Sequence, residues 1–232
     1  GGVVRLTGSG LGCPTWPKCT SESLVTVPEM GIHGVIEFAN RLLTFVLALV
    51  ALLTFLAVLA LGRQLRKGLL APALILGLGI PAQAILGGFT VLTKLNPWFV
   101  GAHFILSGFM IATAALLVFR ALPPKHVAVS QEIWKTATPV AVVGFIAVVV
   151  GVLVTGAGPH SGDAFSVRNG LDLDLWQHLH SYPAYALLLL ALIQLGLLSK
   201  RDKSGLERSY QLKISAWLVV TTIAQAFIGV AQ

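Results

Sequence analysis

Six stretches of this 232-residue chain are apolar for long enough to cross a bilayer: Val35–Leu61, Leu69–Leu92, Trp98–Phe119, Thr136–Thr155, Leu175–Leu198 and Ile214–Gln232. A helix needs about 20 apolar residues to cross the hydrocarbon core, whereas a tilted strand needs only about 10. Each stretch therefore reads as one helix. Hydrocarbon offers backbone groups no water to bond, and a helix satisfies them within its own segment. Composition agrees: 11% of residues are charged and the mean hydropathy is +0.85, against roughly 25% charged residues in soluble domains. The predicted fold class is all-α, a polytopic membrane helix bundle.

The basic residues assign an orientation. Eleven of the sixteen Lys and Arg lie in the loops after the first, third and fifth full helices: Arg63, Arg66, Lys67, Arg120, Lys125, Lys135, Lys200, Arg201, Lys203, Arg208 and Lys213. The other side holds Arg5, Lys18, Arg41, Lys94 and Arg168. The positive-inside rule puts the eleven in the cytoplasm of a multi-pass cell (plasma) membrane protein. The net charge of +7 then reflects topology and the headgroups of the lipid bilayer. No basic helix with interleaved aromatics suggests nucleic acid as a partner. His33, His103, His160, His178 and His180 fall towards the extracytoplasmic side, with Glu22, Glu29, Glu37, Asp163, Asp172 and Asp174. The chemistry is expected there. Trp16, Trp98 and Trp176 read as an aromatic belt at the same interface.

Cys13 and Cys19 are the two cysteines, and both fall on the side where disulfides persist. A disulfide is the main reading; a cycling redox pair and two unrelated thiols are the alternatives. Zinc is disfavoured, since no second Cys or His pair stands at ligand spacing.

Two internal matches suggest a repeat. Thr7-Gly8-Ser9-Gly10 matches Thr155-Gly156-Ala157-Gly158, and Gln83-Ala84-Ile85-Leu86-Gly87 matches Gln225-Ala226-Phe227-Ile228-Gly229. They imply two parallel four-helix repeats: 1–122 holding the tail of helix 1 to helix 4, a cytoplasmic linker at 123–135, and 136–232 holding helices 5 to 7. The chain opens at Gly1 without Met and stops at Gln232 in apolar sequence. The expectation is a fragment whose helix 1 is truncated and whose helix 8 follows Gln232; a cleaved signal peptide is another way to lose the start.

The repeat sets Asn40 on His180 and Glu37 on Gln177, with His103 about one turn inside helix 4. Polar residues at this depth are expensive and face a bundle interior by default. Paired positions on facing helices can grip a haem axially. His103 and His180 are therefore the candidate metal ligands. His178 points away from His180, two residues on. His33 is read as an interfacial residue or an auxiliary one, and His160 as a loop residue ordering Asp163. Glu37 and Asn40 share a helix face. Arg41 either snorkels to headgroups or pairs with a cofactor propionate. Glu37 is the candidate catalytic group, with a purely structural partnership to Arg41 as the alternative.

TGSGLGCPTWPKC, IEFANRLL, GAHFILSG, TGAGPHSGD and QHLHSYPAY, in this order, resemble the haem A synthase family. The resemblance covers essentially the whole chain, and the first segment is its most specific part. It implies an eight-helix protein of two four-helix halves that oxidises a methyl group of haem O to the formyl group of haem A, by two successive hydroxylations, for cytochrome c oxidase assembly. It also implies roles. Cys13 and Cys19 correspond to the family's external cysteine pair. Glu37 and Arg41 correspond to the outer members of its E-x-x-H-R motif. His103 and His180 correspond to the helix 4 and helix 6 haem ligands. Asn40 stands where the motif has His, which leaves one iron face open or invites His33 to fill it. Asn40 and Arg41 are thus cofactor-binding candidates. Glu37 is ionisable and Gln177 is not, so substrate haem O is assigned to the first half and a resident haem b to the second. Such a reaction invites haem O synthase and an electron acceptor as partners, and a homo-oligomer is compatible with it. No flavin or nicotinamide fingerprint identifies the acceptor. The alternatives are a membrane di-haem b-type cytochrome that only passes electrons, and a transporter with helices broken near the midplane.

Overall fold

The computed structural model describes residues 1–122, 131–159, 161–200 and 206–231. Its described elements are helical. A short helix α1 (Gly2–Leu6) leads into a long loop and a 3-10 turn, Pro28–Met30. Six long helices follow: α2 (Gly31–Ala60), α3 (Arg63–Leu92), α4 (Pro97–Ala121), α5 (Gln131–Ala157), α6 (Leu173–Lys200) and α7 (Leu206–Ala231). Each contains a segment long and apolar enough to cross a membrane. Their large side chains point outward in numbers no soluble protein tolerates: Phe45, Ile111 and Phe227 are each at least 70% exposed. Such surface is stable only where hydrocarbon replaces water. The chain is a polytopic helical membrane protein. Prolines do not break its helices: α3 runs through Pro72 and Pro81, α5 through Pro139 and α6 through Pro183. The broken helices that a transporter would need are not found among the described residues.

The helices fall into two compact units, Gly1–Pro123 with Thr155–Leu171, and Pro124–Val154 with Asp172–Gln232. In the first, α2, α3 and α4 pack side by side, and at one end Val58, Leu69, Ala73 and Leu117 form a core backed by Phe55, Leu61, Leu70 and Leu76. Ala73, 1% exposed, lets the helices approach closely there. At the other end a layer of loops closes the unit. Its backbone crossings are tight. A Cβ on Gly12 would stand 2.1 Å from the His33 carbonyl oxygen, so only glycine lets this loop lie on the start of α2. Gly10 N–H donates to the Gly162 carbonyl at 2.8 Å, and Arg5 donates to Thr155 Oγ1 at 3.2 Å. The α3–α4 turn carries Lys94 and Leu95 at positive φ, and Leu95 is buried in the layer. Asn96 then caps α4 by accepting from Trp98 N–H at 3.1 Å, with Pro97 at the first helical position, as helix starts favour. In the second unit, Ala147, Ala191, Leu198, Ser215 and Val219 are buried.

Candidate functional site

The loop layer is organised by one arginine. Arg41, in the third turn of α2, donates from Nε to Glu37 Oε1 at 3.0 Å. Its terminal nitrogens donate to the carbonyls of Cys13 (2.8 Å), Thr15 (2.9 Å) and Lys18 (3.1 Å). Glu37 and Arg41 are four apart and so lie on one face. The Glu37 side chain is 8% exposed and that of Arg41 17%. Cys13 and Cys19 are joined in a disulfide, and both are fully buried. Four N–H donors of Arg41 thus go to Glu37 and to the loop that the disulfide closes. To the two uses expected of Arg41 the structure adds a third, as the fastener between Glu37 and this loop. The guanidinium geometry explains why an arginine serves here, because its planar fork meets several oxygens at once.

Asn40 is half-buried on the same helix. His33 is exposed, and its Nδ1 pairs at 2.9 Å with Ser9 Oγ, which is fully buried and bonds Thr7. His33 is therefore engaged with the loop through Nδ1. His33 also lines a cleft of about 370 Å³ with Gly8, Leu11, Gly12, Pro14, Met30 and Asp163. Trp16, expected in an interfacial belt, also has a partner within the unit. Its indole lies over α3, where a Cβ on Gly88 would stand 2.5 Å from Trp16 Cδ2.

His103 sits in the second turn of α4 with a ring nitrogen, Nδ1, that is buried and has no protein partner. Its ring edge rests on Gly87 of α3, where a Cβ would stand 3.3 Å from Cε1 and 3.7 Å from Nδ1. Below it, Gln83 Nε2 donates to the His103 carbonyl at 3.1 Å and to Ser107 Oγ at 2.6 Å. Ser107 Oγ donates to the same carbonyl at 2.9 Å. The second unit repeats part of this. His180 of α6 is half-buried, its Nδ1 is also buried without a partner, and its ring lies on Gly151 of α5. The neighbouring His178 is exposed and bonds the Asp174 carbonyl at 2.7 Å. The two histidines do face different ways. Gln177 is exposed, unlike Glu37. His126 and His160 lie outside the described residues.

Buried polar atoms nearly always find a partner, so an orphan asks for an explanation. Two imidazoles orphaned alike, each over a glycine, suit a ligand that supplies the missing bond. Among the described residues no three His, Cys, Asp or Glu gather to hold a metal ion by themselves. A haem iron needs no such cluster, because the porphyrin fills four positions and asks one side chain per face. The residues present therefore fit haem. Sequence reasoning missed Gln83, Gly87, Gly88 and Gly151. Gln83 and Gly87 were visible as a recurring pentapeptide, but their contacts lie on another helix.

The model of the cytochrome oxidase assembly protein family, COX15-CtaA, matches residues 1–232. A heme A synthase of Shewanella oneidensis is 27% identical over 179 residues, which cover 71% of this chain and 52% of that protein. The chain thus spans about half the length of the curated relative it matches. No solved structure matches it. With a family match running from the first residue to the last over a helical membrane fold, the chain belongs to the cytochrome oxidase assembly family of COX15 and CtaA proteins.

Proposed function

We propose that this protein is a haem A synthase that oxidises the methyl group of haem O to the formyl group of haem A, on the extracytoplasmic side that the charge count assigns, with water supplying the oxygen and an external electron acceptor taking the four electrons. One observation carries the reading: a single unit holds both a buried carboxylate, Glu37, and a half-buried imidazole, His103, whose buried Nδ1 lacks a protein partner. His103 would hold the substrate haem O, and His180 a resident haem b. A bound haem supplies redox chemistry that side chains lack. Glu37 can take up or release a proton at its carboxylate. Arg41 holds that carboxylate in one orientation through its 3.0 Å contact. Asn40, three residues from Glu37, offers an amide on the same helix face. The Cys13–Cys19 loop, fastened by Arg41, closes the end of the helices and limits water there.

The test is conversion of supplied haem O by the purified protein and its Glu37→Gln variant, with bound pigments identified by mass. Conversion lost with haem absorbance retained is the expected result. Conversion retained in the variant would remove Glu37 from the chemistry. A wild-type protein that carries haem but never converts haem O would favour the electron-passing cytochrome.

A further inference from the structure

We infer that α3 sets the pose of His103 through two residues four apart, Gly87 under the imidazole and Gln83 at its backbone; this rests on reading His103 as a haem ligand. Residues four apart share a helix face, so both meet the same turn of α4. Gln83 Nε2 and Ser107 Oγ both donate to the His103 carbonyl, at 3.1 and 2.9 Å, and they bond each other at 2.6 Å. This knot fixes the turn from which the imidazole projects. Its cost is visible: Gln83 Oε1 is left buried without a partner. An amide inside a membrane helix, half satisfied, is poor structural glue and marks a functional position. Gly87 then removes the one side chain that would push the ring off the helix. A Cβ there would lie 3.3 Å from Cε1, closer than the ring accepts without moving a few tenths of an ångström.

The second unit supplies an independent instance. A Cβ on Gly151 would stand 2.9 Å from His180 Cε1, 3.4 Å from Nδ1 and 3.5 Å from Nε2. That is a harder collision than at Gly87. Glycines elsewhere on the same bundle do not share this role: Gly77 of α3 and Gly196 of α6 would meet nothing within 4 Å. Gln83 and Gly87 are positioning residues in this account. They act through the ligand residue, which both of them touch.

The experiment substitutes Gly87→Ala, Gly151→Ala and Gln83→Leu in the protein purified in detergent, with Gly77→Ala and Gly196→Ala as controls. The readouts are haem per protein, the Soret and α bands, the electron paramagnetic resonance of the oxidised haem, and its reduction potential. Gly87→Ala should keep its haem with shifted resonance and bands. Gly151→Ala should lose at least half of one haem, partly restored by added imidazole. Gln83→Leu should broaden the resonance of the His103 haem. Both controls should match the wild type. Gly87→Ala is the milder change, so the test holds even where Gly151→Ala does not accumulate. A haem-loaded wild type whose Gly87→Ala and Gln83→Leu spectra are unchanged would overturn this inference alone. A wild type that binds no haem would overturn the functional reading and the inference together.

Discussion

Replacing Arg41 by leucine is the most informative single perturbation of this fold. The side chain serves four acceptors, at 3.0 Å on Glu37, 2.8 Å on Cys13, 2.9 Å on Thr15 and 3.1 Å on Lys18. They are not equivalent. Glu37 is 8% exposed, and stripping a buried charge of its partner costs about 3–5 kcal/mol. Thr15 and Lys18 belong to a loop that water reaches, so their carbonyls regain hydrogen bonds and cost ~0.5–1 kcal/mol each. The carboxylate therefore dominates, the buried Cys13 carbonyl adds about 1–3 kcal/mol, and Arg41→Leu should destabilise the protein by about 5 kcal/mol or more. Pairing it with Glu37→Gln separates the two contributions. The double variant should recover about 2–3 kcal/mol of that loss, because the stranded charge is gone. Arg41→Lys should fall between, keeping the charge and losing the fork. Equilibrium unfolding in mixed micelles gives these numbers, and proteolysis between Cys13 and Cys19 reports the loop. Arg41→Leu within 0.5 kcal/mol of wild type, roughly the scatter of surface substitutions, would refute the clamp. A double variant no better than the single one would show that the carboxylate is not the main loss.

Three further outcomes are expected. His33→Ala should lower stability by about 1 kcal/mol through the lost Ser9 contact and leave haem content unchanged, measured by pigment extraction; a lost haem would restore His33 as a ligand. Gly12→Ala should cost ~3 kcal/mol or more, because its Cβ collides with the His33 carbonyl backbone, and thermal denaturation checks this. Replacing both Cys13 and Cys19 by serine should cost about 2 kcal/mol, the chain-entropy value for so short a closed loop, and should raise proteolytic nicking near Trp16.

The membrane helices were legible because their signal is local. Twenty apolar residues in a row carry their own explanation, and α2 to α7 each match one predicted run to within a residue or contain it. Glu37, His103 and His180 stood out for a related reason: a polar residue inside such a run is conspicuous wherever its partners are. What fastens these residues was not legible. The role of Arg41 depends on carbonyls more than twenty residues away, which any sequence could have presented. Trp16 looked like every interfacial tryptophan, and only contact with α3 distinguishes it. Gly87 and Gly88 resembled ordinary small residues of a membrane helix. A glycine shows its purpose through the neighbour that occupies its missing side chain, and that neighbour comes from elsewhere in the chain.

Gly87 and Gly88 are consecutive on α3, yet they receive different visitors, an imidazole from α4 and an indole from the cysteine loop. One peptide unit therefore serves as the common bearing for an inner ring and an outer one. A bulkier residue at Gly87 would press on the imidazole, and one at Gly88 on the indole. Saturation mutagenesis should find position 88 restricted to glycine and position 87 to glycine or alanine, in a helix whose Gly77 accepts alanine freely.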